Sequence, residues 1–308
     1  MLQEEITRGL EAVEAQLNGA TESDVPVLRN ASLHTISAGG KRLRPQIAML
    51  AYRAAGGMDL SNVAPLAAAV ELVHTATLVH DDINDHSLTR RGKVSVHARW
   101  GRTFALLTGD YLFARVYQMM APYGAAYNQV MSDACVRLVE GETLQAAAAK
   151  SGKMDRETYK QIISRKTASL FEATAQMGCM LGGAEASMVE ALSQYGHYLG
   201  MAFQIVDDLL DIEGNAEVMG KPVGLDVAQG RGALVAQNGI NRGAGTAIAD
   251  DPLAAMMARL RSSGAVEIAR AQATEMADRA RGALSEIPGS PAREALLALV
   301  DVVVERNR

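Results

Sequence analysis

Two stretches of helical periodicity, residues 61–85 and 185–212, are apolar for several turns and then close on one pattern, Asp81-Asp82-Ile83-Asn84-Asp85 and Asp207-Asp208-Leu209-Leu210-Asp211. Residues four apart share a helix face, so Asp81 projects with Asp85 and Asp207 with Asp211. A helix apolar on most sides has to be buried, and carboxylates at the ends of buried helices are costly unless something neutralises them. Hard oxygen donors suit Mg²⁺, which takes one or two carboxylates and completes its shell with water and phosphate oxygens. One such pattern is compatible with a solvated helix end; a second copy, ending a second apolar helix, points to metal chemistry.

The rest of the chain reads as helix. Residues 3–19 are amphipathic. A helix runs out at Gly39-Gly40, and Pro45 fits the first turn of the next, through about Ala55. Ser61 or Asn62 is expected to cap the helix that carries the first aspartates. Further helices are expected over 100–121, 127–149, from Asp155 towards Gly182 with Gly178 inside it, and over 252–285 and 290–306. Residues 88–97 and 214–232 read as loops, and 237–251 as an irregular Gly, Asn and Ala-rich segment. No Asn-Gly hairpin and no alternating strand stands out. The fold class is all-α, with about ten or more helices in a single domain, 1–308. Hydrophobic residues make up 48% and aromatics only 4%, so the core is aliphatic.

The net charge of −5 gives no basic face for a nucleic acid. An anionic substrate has to be held by metal or by local cations, and these stand near the aspartates in sequence: Lys41, Arg42 and Arg44; Arg90 and Arg91; Lys166; Lys221. Arginine grips phosphate oxygens in pairs and lysine acts as a point charge. Three Mg²⁺ would offset six aspartates, leaving the basic residues to offset two diphosphates. Cys135 and Cys179 fit no metal spacing and read as free thiols. The acidic start of the chain and the want of an 18-residue apolar run predict a cytoplasmic protein; peripheral contact with a membrane, for product release, stays open.

Taken in order, the segments GGKRLRP (39–45), HDDINDHSLTRRG (80–92), GDYLFAR (109–115), EGETLQ (140–145), KTASLFE (166–172), GMAFQIVDDLLD (200–211) and GKPVGLD (220–226) resemble the motifs of the trans-isoprenyl diphosphate (polyprenyl) synthases over nearly the whole chain. The resemblance implies helices around a large central cavity, a homodimer, and head-to-tail condensation of isopentenyl diphosphate with an allylic diphosphate. By position it implies that Asp81 and Asp85 bind two Mg²⁺ with Asp82 in support, and that Asp207 binds a third with Asp208 and Asp211 holding its waters. Arg90, Lys166 and Lys221 would hold the allylic diphosphate. Lys41, Arg44, His74 and Arg91 would hold isopentenyl diphosphate, and Thr167 and Gln204 would stabilise the allylic cation. After 220–226 the chain departs from the family: Arg231 stands where a lysine is usual, and the Thr-Leu-Pro that follows there is replaced by a glycine-rich run.

One helical turn rises about 5.4 Å, close to one extended isoprene unit. Ala76 and Thr77 lie on the first rung before Asp81, where short-chain relatives usually carry an aromatic, and Leu72 and Val73 lie on the next. Small side chains on the first rung, with medium ones on the next, predict a product beyond C20, about C30 to C50. The alternatives are a short-chain synthase (C15 to C20) stopped by another helix, a class I terpene cyclase, a non-catalytic synthase subunit, and a helical scaffold with acidic surface clusters.

Overall fold

The computed structural model describes residues 2–213, 232 and 263–306. The described residues form α1 (Leu2–Ala20), α2 (Pro26–Ile36), α3 (Leu43–Ala54), α4 (Ala64–Asn84), α5 (Val96–Trp100), α6 (Arg102–Met120), α7 (Ala125–Ser151), α8 (Arg156–Ile163), α9 (Ser169–Leu181), α10 (Ala186–Glu213), α11 (Ala265–Ala283) and α12 (Pro291–Val304). The all-α expectation holds. They divide into two compact units, one of Met1–Ser132, Ala173–Leu192 and Ile287–Leu296, the other of Asp133–Glu172, Ser193–Glu286 and Leu297–Arg308.

In the first unit α4 packs against α1, α3 and α6. Leu66, Ala67, Ala68, Ala69, Val70, Leu72, Val73 and Ala76 are all fully buried, so α4 is enclosed on most sides as its composition requires. On α1, Ile6, Val13, Leu17 and Ala20 form a buried stripe at helical spacing. Gly178 lies inside α9 because a Cβ there would sit 2.4 Å from the carbonyl oxygen of Ala48 on α3.

Two expectations are corrected in this unit. Ser61 and Asn62 do not cap α4: they belong to a 3₁₀ turn, Leu60–Asn62, whose own cap is Asp59, accepting from the Ser61 N–H at 2.9 Å. Residues 88–97 are not all loop. Thr89–Arg90 (β1) pairs antiparallel with Lys93–Val94 (β2). The two turn residues, Arg91 (φ 50°) and Gly92 (φ 73°), both have the positive φ of a type I′ hairpin turn. An arginine in the place usually taken by Asn or Asp hid that turn in the sequence.

The core of the second unit joins Tyr159, Ile162 and Ile163 of α8 to Met201, Ile205, Val206 and Leu209 of α10 and to Ala265, Val266 and Ala269 of α11. Asp155 caps α8 as expected, accepting from the Thr158 N–H at 2.8 Å. The helix then widens into a π-turn, Ser164–Ala168, before α9. No helix among the described residues is long and apolar enough to cross a membrane.

Candidate active site

The first aspartate pattern closes α4. Asp85 is its C-cap, and its N–H bonds the Asp81 carbonyl at 2.8 Å. His86 turns left-handed (φ 53°), and the Ser87 N–H returns to the Asp82 carbonyl at 2.9 Å. This is the helix stop usually made with glycine. The carboxylates thus gather at the negative end of the helix dipole, where a cation is favoured. Asp82 is buried and accepts from Arg90 Nε at 2.8 Å and Nη2 at 2.6 Å. Burial pushes its carboxyl up against the opposing pull of Arg90.

The β1–β2 hairpin delivers the two arginines in different directions. Arg90 returns to Asp82, while Arg91 donates to the carbonyl of Gly39. Lys93 pins the hairpin to the end of α2 through the carbonyl of Ser37 at 2.8 Å. Arg42, at the N-cap of α3, is tied to Glu14 at 2.6 Å and Glu71 at 3.0 Å. Arg44 is buried, and burial lowers it to about 10, with Glu71 opposing and Arg91 adding to the fall. His74, on α4, is pushed well below its ordinary value by burial, then by Arg44, Arg91, Arg90 and Arg42. Of the residues expected to hold isopentenyl diphosphate, Arg44, His74 and Arg91 are therefore close enough to feel one another's charge. Lys41 is exposed beside them in sequence. Arg44, desolvated by burial and depressed further by Arg91, gains from an incoming anion.

The second pattern lies in the last two turns of α10. Asp208 and Asp211 are buried, and Asp207 is 37% exposed. Arg306, just past α12, donates to Asp207 at 2.6 Å and lies over the Phe203 ring at 4.5 Å. Tyr159 donates to one oxygen of Asp208 at 2.6 Å and Gln204 Nε2 to the other at 2.9 Å. Gln204 Oε1 accepts the Thr167 hydroxyl at 2.8 Å. Lys166 pairs with Glu142. The π-turn presents Lys166 and Thr167, and such turns recur at functional sites. A Cβ on Gly141 of α7 would stand 2.4 Å from the Lys166 nitrogen, so glycine permits that approach.

Lys221 and Arg231 lie outside the described residues. Val73 and Ala76 are fully buried, and Thr77 is half-buried with its hydroxyl donating to the His74 carbonyl at 2.8 Å. Among the described residues no three His, Cys, Asp or Glu side chains close a metal cage. Mg²⁺ needs none, since water and phosphate complete its shell. Carboxylates grouped at a helix C-terminus are a donor set that fits it. Burial pushes the Cys135 thiol up to about 11 and that of Cys179 to about 12, which suits unreactive thiols.

Tyr159, Arg306 and Glu142 were not singled out from the sequence. Tyr159 left a trace, because it shares the buried stripe of α8 with Ile162 and Ile163. A tyrosine in a core position usually brings a partner for its hydroxyl. Arg306 left none, since its partner is 99 residues away.

This all-α fold and these paired aspartate patterns define a prenyltransferase. A family profile described as polyprenyl synthetase matches residues 25–279. The octaprenyl diphosphate synthase of Escherichia coli (strain K12) is 39% identical, covering 96% of this chain and 94% of its own length. A short chain isoprenyl diphosphate synthase of Methanothermobacter thermautotrophicus is 37% identical, covering 91% and 90%. A solved polyprenyl synthase of Caulobacter crescentus CB15, in complex with calcium and isoprenyl diphosphate, superposes with a TM-score of 0.90 at 34% identity, covering 99% of this chain and 98% of that one. The chain belongs to the polyprenyl synthetase family.

Proposed function

We propose that residues 1–308 act as a single, cytoplasmic, Mg²⁺-dependent synthase domain that adds isopentenyl diphosphate to an allylic diphosphate and builds a long all-trans polyprenyl diphosphate. The observation that carries the reading is that each aspartate pattern ends a buried apolar helix and has cationic side chains bonded beside it. The divalent ion reported with the Caulobacter relative supports a metal here. Asp81, Asp85 and Asp207 would hold up to three Mg²⁺, which supply positive charge to the departing diphosphate.

Arg90, Lys166 and Lys221 grip the allylic diphosphate, with Arg231 adding charge. The carbon–oxygen bond breaks and leaves an allylic cation and a free diphosphate. Lys41, Arg44, His74 and Arg91 hold isopentenyl diphosphate with its double bond towards that cation. The Thr167 hydroxyl and the Gln204 amide stabilise the cation as dipoles without trapping it. The double bond attacks, a carbon–carbon bond forms, and the proton released goes to the freed diphosphate. Asp82, Asp208 and Asp211 support the metal-holding carboxylates.

The small Ala76 and Thr77, with the medium-sized Val73 a turn deeper, and the octaprenyl relative support a product of about C30 to C50. The short-chain relative, almost as similar, favours a second reading in which elongation stops at C15 to C20. A homodimer is supported by α6, which leaves Phe104, Leu106, Leu107 and Tyr117 exposed.

The test is incubation of the purified protein with Mg²⁺, isopentenyl diphosphate and each of the C5, C10, C15 and C20 primers, followed by product-length analysis. Elongation beyond C20, cut short in Ala76→Phe or Thr77→Phe, is the expected result. Wild-type products that stop at C15 or C20 would favour the second reading. Cyclisation that ignores isopentenyl diphosphate, or no turnover of any primer, would refute both.

A further inference from the structure

The hydrogen bonds around Asp208 have only one consistent direction. A carboxylate accepts and cannot donate. The Gln204 side chain therefore has to turn its NH₂ to Asp208, which leaves its carbonyl oxygen facing Thr167. The Thr167 hydroxyl has to donate to that oxygen, at 2.8 Å. The lone pairs of Thr167 Oγ1, and not its proton, are then left for a substrate. The arrangement depends on the buried Asp208 carboxylate staying unrotated. Tyr159 donates to its other oxygen at 2.6 Å from the apolar core of α8 and α10.

We propose that Tyr159 is a positioning residue for Thr167 and Gln204, acting through Asp208 so that Thr167 offers electron density to the allylic cation. The proposal rests on the role given to Thr167 and Gln204 above. Without the Tyr159 hydroxyl, the buried carboxylate loses one of the charge-assisted donors that fix its rotation. A carboxylate that can rotate no longer holds the Gln204 amide in one orientation, and the Thr167 hydroxyl then loses the fixed acceptor that keeps its proton turned away from the cation. Chains of this kind polarise cooperatively, so a change at one end is felt at the other.

The experiment compares wild type, Tyr159→Phe, Thr167→Ala and the double variant in the single-turnover rate of the first condensation, in KM for isopentenyl diphosphate and in Tm. Tyr159→Phe is expected to slow the condensation about tenfold or more with KM within twofold of wild type. In the Thr167→Ala background the same substitution is expected to change the rate less than twofold, because the hydroxyl it orients has gone. Independent effects that multiply in the double variant would overturn the proposal, as would a normal rate in Tyr159→Phe. Should Tyr159→Phe not fold, 3-fluorotyrosine at 159 keeps the ring and hydroxyl while making the donor more acidic. A rate change beyond twofold at unchanged KM is then expected, and an unchanged rate would overturn the proposal. Failure of the wider reading is distinguishable, since the wild type itself would then fail to condense the two diphosphates.

Discussion

Around His74 stand Arg44, Arg91, Arg90 and Arg42, and burial acts on the ring before any of them. In the unfolded chain the imidazole titrates near its ordinary value of about 6.5, whereas in the folded protein it takes up a proton only at much lower pH. Between those two values the unfolded state binds the proton and the folded state does not. Stability is therefore fully present above about pH 6.5 and falls as the pH drops through that window, by at most about 1.4 kcal/mol per pH unit. His74→Gln removes this contribution. Thermal melting from pH 7 to pH 5 at fixed ionic strength should show a shallower fall in Tm for the variant than for wild type. Parallel curves would mean that the ring is not shielded as the arginine cluster implies. At the other end of the cluster, Arg44→Gln should raise the KM for isopentenyl diphosphate at least tenfold, since hydrogen bonds to charged groups contribute roughly 1.5 to 3 kcal/mol each.

At the level of elements, the close contact of α7 with the π-turn makes a sharp prediction. Alanine at Gly141 would press on the Lys166 backbone, which cannot yield as a flexible side-chain tip would. Overpacking of this kind costs about 1 to 3 kcal/mol. Gly141→Ala should lower Tm and slow condensation, and Gly124→Ala, where a Cβ meets nothing within 4 Å, is the control. Just past the C-cap of α4, His86 holds a left-handed conformation that costs a side-chain-bearing residue about 1 to 2 kcal/mol. His86→Gly should therefore raise stability by about 1 kcal/mol in denaturant unfolding. The helices themselves were legible: periodicity placed the ends of α1, α3, α7 and α10 within a few residues, because a 3.6-residue pattern is local. The π-turn was not, since one extra residue in a turn leaves the apolar pattern on both sides intact. The hairpin was hidden by Arg91, a residue that seldom takes positive φ.

For the molecule as a whole, the all-α class and the two aspartate patterns follow from short-range sequence. The bonds that set the chemistry of the second pattern do not. Tyr159 meets Asp208 across 49 residues, and Arg306 meets Asp207 across 99, and no periodicity reports such pairs. The second pair makes the end of the chain part of the metal question. Arg306 is only 10% exposed, donates to the carboxylate expected to carry an ion, and is steadied by the Phe203 ring. A divalent ion at Asp207 has to displace that guanidinium or share the carboxylate with its charge, and either lowers metal affinity. Arg306→Ala should therefore reduce the Mg²⁺ concentration for half-maximal activity by about three- to tenfold, equivalent to about 0.7 to 1.4 kcal/mol, with Arg306→Lys in between. Calorimetric titration of Mg²⁺ in the presence of inorganic diphosphate supplies a reading independent of turnover and should show the same order. The opposite order, with the alanine variant needing more Mg²⁺, would mean that Arg306 holds Asp207 in place for the ion and does not compete with it.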